Sequence, residues 1–242
     1  MTSRGKLLCV ATVLVLVGWS AVRHARGETA LAVRWTSALA LSSLEEIDQR
    51  LAALWEYPLE LRRVSGQRQT AVITNCQSYF DLTRQGFTST PIKYQLVLGA
   101  DCHALRALRQ ATPARRTHLA GFHLHEAVLN DLPPDLSLVI SNDDARKVAA
   151  ANQKGLSWRE FEPIKRITLE KGQAMRVEGD GWVVRITVYA FGDFTADGLE
   201  DLLVKTDAWL QAGSYATTRL LLLTRRQAGA RLDLVTEYDL TK

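Results

Sequence analysis

From residue 167 to residue 237 the chain reads as a succession of strands, and no other stretch limits the fold so tightly. Trp182, Val184, Ile186, Val188 and Ala190 fall at every second position, so in an extended chain they share one face, and that face requires burial. Glu178-Gly179-Asp180-Gly181 carries a D-G hairpin signal between 173–178 and 182–190. A polar loop then leads to a strand at 201–206, Ala212-Gly213-Ser214 turns the chain towards 219–224, and a strand at 231–237 completes a meander. Residues 220–223 are all leucine, which predicts a central strand covered on both faces, by N-terminal helices on one side.

The earlier part of the chain reads as helical. Ser43-Leu44-Glu45-Glu46 matches a capping box, Leu44, Ile47, Leu51 and Leu54 recur at helical spacing, and Pro58 ends the run. Stretches 69–75 and 93–98 hold β-favouring residues, whereas 78–83 between them fits a helix. Asp101 is placed to cap a helix through 111 with Ala104, Leu105 and Leu108 on one face, which puts Cys102 in its first turn. After Pro133-Pro134 comes a short apolar run, 136–140, and Asn142-Asp143-Asp144 opens a helix that stops near Gly155. Trp158, Phe161 and Pro163 read as a connector packed by its aromatic rings, with an aromatic ligand platform as the alternative. The expected fold is α+β: one domain over 28–242, helix-rich to about 165 and strand-rich from about 167, with a helical N-terminal half packed on a C-terminal antiparallel β-meander.

Arg4 and Lys6 precede an apolar run at 7–22, followed by Arg23, His24 and Arg26, which is the layout of an export signal. Ala25-Arg26-Gly27 offers a cleavage site before Glu28, and Ala30-Leu31-Ala32 offers a second. Sixteen residues rise about 24 Å as a helix, short of a hydrocarbon core of about 30 Å, so removal is expected and an uncleaved membrane anchor is the alternative. The formal charge of +4 resides in the four basic residues of this leader; residues 28–242 carry 26 basic and 26 acidic side chains. A balanced chain without a basic patch gives no argument for nucleic acid, nor for strong membrane binding once the leader is gone. The expected location is the periplasm or the outside of the cell.

With Cys9 in the leader, Cys76 and Cys102 are the remaining thiols, and in an oxidising compartment they are expected to pair. A reactive or metal-binding thiol beside His103 is the alternative, but no C-x-x-C spacing supports it.

The polar loop is Asp193-Phe194-Thr195-Ala196-Asp197-Gly198-Leu199-Glu200-Asp201. Oxygen-bearing side chains at loop positions 1, 3, 5 and 9 can converge on a hard cation when the backbone curls, and Gly198 permits the curl. Extended to Phe191, Gly192, Leu202, Leu203 and Val204, the stretch resembles the FG-GAP (VCBS-type) repeat, whose core reads G-D-x-[ND]-x-D-G-x-x-D-[LI]-x-[VL]. That resemblance implies a calcium site in a tight link between antiparallel strands, with Asp193, Asp197, Asp201 and the Leu199 carbonyl as ligands. Thr195 stands where Asp or Asn is usual, which removes one strong ligand. The unit occurs once here, so a propeller is not expected, and Val204 at position 12 departs from an EF-hand. The same residues also compose an ordinary polar hairpin turn.

A second candidate is His118-Leu119-Ala120-Gly121-Phe122-His123-Leu124-His125-Glu126, where an extended backbone presents His123 and His125 on one face, as a zinc site does. His118, His103 or Glu126 would have to complete it. No G-x-S-x-G elbow and no glycine-rich phosphate loop is present. The expected function is that of an exported, non-enzymatic envelope or secreted interaction protein with a structural calcium-binding hairpin, its partner an unidentified envelope or extracellular protein or a glycan. The alternative is a zinc-dependent hydrolase using the 118–125 segment.

Overall fold

The computed structural model describes residues 30–63, 69–171 and 173–242. The leader read into 1–27 lies outside them. In chain order the elements are β1 (Arg34–Trp35), α1 (Ile47–Ala52), β2 (Leu59–Arg63), β3 (Thr70–Ile73), α2 (Cys76–Arg84), β4 (Phe87–Thr88) and α3 (Lys93–Gln110). Next come α4 (Asn142–Gln153), α5 (Trp158–Phe161), β5 (Arg166–Glu170), β6 (Ala174–Glu178), β7 (Trp182–Gly192), β8 (Asp201–Leu210), β9 (Ala216–Thr224) and β10 (Asp233–Glu237). Short 3-10 turns fill several of the gaps. Among the described residues no helix is long and apolar enough to cross a membrane.

The C-terminal strands form an antiparallel sheet in the order β10-β9-β8-β7-β6-β5, and β1 pairs with the far end of β7 through Arg34 and Phe191 and through Trp35 and Ala190. The four leucines of β9 explain how this sheet is covered. Leu220 and Leu222 point into one apolar cluster with α1, α2 and α3, while Leu221 and Leu223 point into a second, built from the 119–138 segment and Trp158. The sheet is thus a shared wall between two cores. A β-bulge in β7 between Val188 and Ala190 shifts the alternation: Val184, Ile186 and Val188 face the second core, whereas Ala190 joins the first and Phe191 the second. Ala190 therefore does not share the face expected of it, because the extra residue of a bulge reverses the facing of the residues beyond it.

The expected helical N-terminal half does not form, and this corrects the fold read from the sequence. Between α1 and α3 the chain builds a second, three-stranded sheet in the order β3-β2-β4, and the first half also contributes β1 to the large sheet. Leu61 and Ile73 of the small sheet are fully buried. The Leu-Glu-Leu-Arg-Arg sequence of β2 has little intrinsic strand preference, so its conformation comes from pairing and burial. Stretch 93–98, with its β-favouring Tyr94 and Val97, is the start of α3, so Asp101 lies inside the helix and Cys102 near its middle. Gln95, Gly99, Cys102 and His103 share the buried side of α3, and tertiary packing overrides local preference. Ser43 makes no side-chain cap, the 44–46 turn is 3-10, and α1 ends at Ala52, leaving Leu54 exposed.

Cys76, the first residue of α2, is bonded to Cys102 of α3, with their Cα atoms 5.3 Å apart. The pairing expected from the cysteine count is present. It ties α3, which packs on β9, to α2, which packs on the small sheet.

Candidate functional site

The acidic loop connects β7 to β8, whose pairing begins at Gly192 and Asp201. Asp193 is buried and works as the organiser of the turn. Its Oδ1 accepts the N–H groups of Thr195 and Asp197, both at 3.2 Å, and its Oδ2 accepts the Gly198 N–H at 2.7 Å. A carboxylate that gathers three backbone donors bends the chain round itself. Gly198 sits at φ +83°, a conformation that selects glycine, while a Cβ there would meet only the movable guanidinium of Arg115. Asp197 is exposed and accepts the Leu199 N–H at 2.8 Å.

Asp201 is the unusual member. It is fully buried, and its Oδ2 accepts the Phe194 N–H at 3.2 Å and the Thr195 hydroxyl at 3.3 Å. Its Oδ1 is buried and faces the Thr224 hydroxyl on the paired strand, and neither atom makes a hydrogen bond of ordinary geometry among the described residues. Burial pushes the Asp201 carboxyl up to about 6, and the Asp197 charge pushes the same way; the Thr224 hydroxyl on the paired strand, the Phe194 N–H and the Thr195 hydroxyl only partly offset this.

The loop is clamped from outside. Thr112 and Asp193 exchange two backbone hydrogen bonds of 3.0 Å, and the N–H groups of Arg115 and Arg116 both donate to the Gly198 carbonyl, at 2.9 and 3.0 Å. Buried Glu200 accepts Arg34 Nη2 at 2.8 Å and the Thr117 hydroxyl at 2.6 Å. The Arg34 guanidinium also stacks 4.3 Å over the Phe191 ring. The Leu199 carbonyl, by contrast, accepts no hydrogen bond among the described residues.

These donors suit a hard cation in chemistry: carboxylates, a hydroxyl and a free carbonyl, with one buried carboxylate oxygen unpaired. Asp193 and Asp201 are brought together around Thr195. Asp197 is turned outward, and among the described residues no three acidic, histidine or cysteine side chains converge in a metal-holding group. If an ion is held here, Asp193, Thr195, Asp197, the Leu199 carbonyl and Asp201 are the groups to hold it, and the cation would neutralise charge that the buried Asp201 cannot otherwise balance.

At the histidine segment His123 and His125 do lie side by side, with ring centroids 4.7 Å apart. Their nitrogens have other partners. His123 Nδ1–H donates to the Gly121 carbonyl at 2.8 Å, leaving Nε2 free, while His125 Nδ1 accepts the Val128 N–H at 3.1 Å and caps a 3-10 turn. An imidazole that accepts at Nδ1 carries its proton on Nε2, so His125 does not present that nitrogen as a ligand. Glu126 is bound to Arg159 at 3.0 Å, and His103 is buried in α3 against the C-terminal tail. The residues expected to complete a zinc site are therefore not assembled with the pair.

One feature carried no sequence signal. A cleft of about 810 Å³ opens beside the end of β9, between α4, the 135–139 segment and the C-terminal tail, and a hollow of about 350 Å³ adjoins it on the α3 side. Their walls come from elements far apart in sequence, and the exposed Tyr94 and Tyr215 are ordinary when seen singly. No family model, no curated protein and no solved structure matches this chain.

Proposed function

We propose that the protein is exported and acts as a non-enzymatic interaction or binding protein of the envelope or the extracellular space, its β7–β8 hairpin held by a structural calcium ion. The observation that carries the calcium reading is the buried, unpaired Oδ1 of Asp201 in a loop that already buries Asp193. An uncompensated buried carboxylate costs stability, and a cation that binds the folded loop alone recovers it by mass action. The Cys76–Cys102 bond is compatible with an oxidising compartment. The binding reading draws on the open cleft, and on acidic and histidine side chains that serve as caps and ion pairs, as His125 and Glu126 do. The partner is an envelope or extracellular protein or a glycan.

The test is metal content and thermal stability of the exported protein with calcium, with zinc and after chelation, in the wild type and in Asp197→Ala. Calcium-specific stabilisation that disappears in the variant supports the reading. Stoichiometric zinc with no calcium response overturns it and directs attention to His123 and His125.

A further inference from the structure

Beyond Tyr238 the chain leaves the large sheet. β10 ends its pairing with Glu237 opposite Leu221, and the Tyr238 N–H donates to the Leu220 carbonyl at 3.0 Å. Among the described residues no later backbone group of this tail bonds to the backbone of another element. The Lys242 N–H donates to the Asp239 carbonyl, and the Asp239 carboxylate accepts the Thr241 N–H and hydroxyl. Two side chains hold the tail instead. The Tyr79 hydroxyl of α2 donates to the Leu240 carbonyl, and His103 Nε2–H of α3 donates to the Lys242 carbonyl at 3.2 Å. The Leu240 side chain is buried in the first core. A segment held by two side chains and one apolar anchor, without a ladder, opens more readily than the sheet it leaves.

One of the two side chains titrates. His103 is buried, and its second nitrogen is also committed: Arg106 Nη2 donates to Nδ1 at 3.2 Å, and the same guanidinium lies 3.9 Å over the Phe80 ring. That arrangement exists only for the neutral imidazole, because a proton on Nδ1 sets two N–H donors and two positive charges against each other. The ionisable groups around the ring come from three elements. α3 contributes Arg106. α2 contributes Tyr79, kept neutral by burial, and Arg84, which is paired with Asp81 and adds to the positive charge at Arg106. The tail contributes Tyr238, also kept neutral by burial, and Asp239, which draws the ring towards its charged form but is itself engaged by Lys242 at 2.7 Å. Burial and the Arg106 charge win, and they lower the His103 pKa to about 4.

The tail is also a wall. Tyr238, Asp239, Leu240 and Thr241 line the cleft of about 810 Å³ together with Leu96 of α3 and Val148 of α4. We propose that the tail beyond Tyr238 is an acid-released strap on this cleft: a proton on His103 Nδ1 drives the ring and Arg106 apart, the charged ring takes up water where the Lys242 carbonyl lay, and the cleft loses the wall that carries Leu240. Once the tail is free, the ring titrates near the ordinary value of about 6.5, so protons bind the open form first. Opening is favoured as pH falls from about 6.5 to about 4 and gains roughly a hundredfold over that range. The strap deepens the binding reading by regulating access to the cleft, and it rests on that reading for its use but not on the calcium loop.

The test is nuclear magnetic resonance on the full chain, titrated from neutral pH down to about pH 4. It reads the His103 ring, the heteronuclear NOE of the Leu240, Thr241 and Lys242 amides, and the amide shifts of Leu136 and Val148 at the cleft and of Val184 and Ile186 in the sheet. The expected result is a fall of the tail NOEs that follows protonation of the ring, with the cleft amides shifting over the same range and the sheet amides unchanged. His103→Gln supplies a neutral amide that can donate to the Lys242 carbonyl and accept from Arg106, so its tail should stay ordered to the acid end. Arg106→Met removes the facing cation, so its ring should titrate at higher pH and its tail should be more ordered at about pH 4 than that of the wild type. This second variant keeps the test decisive if the glutamine variant folds poorly. Overturning results are a tail that stays rigid or tightens once the ring is protonated, a glutamine variant that releases its tail as the wild type does, or sheet amides that collapse together with the tail, which is global acid unfolding. None of these bears on the binding reading. Failure of that reading, a cleft that takes up no protein and no glycan at any pH, leaves the transition of the tail to be measured and the strap standing.

Discussion

His103 in the middle of α3 and Lys242 at the end of the described chain meet at 3.2 Å, the imidazole Nε2–H donating to the Lys242 carbonyl. On its other side Arg106 Nη2 donates to His103 Nδ1 at 3.2 Å, which fixes the neutral tautomer. Tyr79 and Phe80 of α2 and Tyr238 of the tail pack edge-on around the ring, and the Tyr79 hydroxyl holds the Leu240 carbonyl. The tail is therefore latched by a histidine that must stay uncharged.

Acid should release this latch. Burial lowers the His103 pKa to about 4, the Arg106 charge acts in the same direction, and the Lys242 carbonyl and Asp239 oppose both. An unfolded histidine titrates near 6.5, so the unfolded chain binds the proton first. The contribution is complete above about pH 6.5 and is lost as pH falls towards 4, amounting to roughly 3 kcal/mol in total. Denaturant unfolding at a series of pH values should show this slope in the wild type, and His103→Gln should flatten it. An unchanged slope in the variant would show that other groups carry the acid sensitivity.

Calcium dependence should be adjustable at one position. Thr195→Asp supplies a carboxylate where the loop has a hydroxyl, so the variant should be less stable than wild type after chelation and gain more on adding calcium. A gain of about 2.7 kcal/mol is expected at a hundredfold excess over the dissociation constant. Asp201→Asn should lose the response. Calorimetric melting with and without calcium reads both, and a Thr195→Asp protein indifferent to calcium would remove the loop from consideration.

The Cys76–Cys102 bond closes a sequence separation of 26 residues. Its removal in Cys76→Ala/Cys102→Ala should cost roughly 3 kcal/mol, mainly by freeing the unfolded chain. Urea midpoints of wild type, reduced wild type and the double variant should show the two reduced forms alike and both below the oxidised protein.

The Tyr79 side chain of α2 lies directly over Gly99 of α3, where a Cβ would collide with its hydroxyl and ring. Tyr79 is fully buried and cannot step aside. Gly99→Ala should destabilise by about 1–3 kcal/mol. Tyr79→Phe removes the first atom the methyl meets, so a double-mutant cycle should show less than additive loss. Simple additivity would mean that the helices separate instead.

The strand-rich end of the chain was legible because its signals are local: alternation in β7, the Asp180-Gly181 turn, and four leucines whose even and odd members serve opposite cores. The bulge beyond Val188 was not legible, since its extra residue is defined by the partner strand. β3 lies within the β-favouring stretch 69–75, but β2 escaped for a similar reason: Leu61 acquires meaning only once its segment pairs with β3 and is covered. At the acidic loop the hairpin position and the turning role of Gly198 could be read directly, but not the orphaned Asp201 oxygen, which depends on β9 lying alongside. The cleft beside α4 had no sequence signature, because a cleft is made by what elements far apart in sequence leave uncovered.

β1 pairs with β7, the Thr36 hydroxyl donates to the Val188 carbonyl at 2.7 Å, and Arg34 reaches Glu200. The first described strand and the last carbonyls of the chain are thus both held by partners more than half the molecule away in sequence. A polypeptide that emerges amino end first has nothing for Arg34 to close upon until Phe191 and Glu200 appear, and nothing for the Tyr79 hydroxyl until Leu240 does. Contacts of such sequence separation form late, so the topology postpones assembly until most of the chain is available.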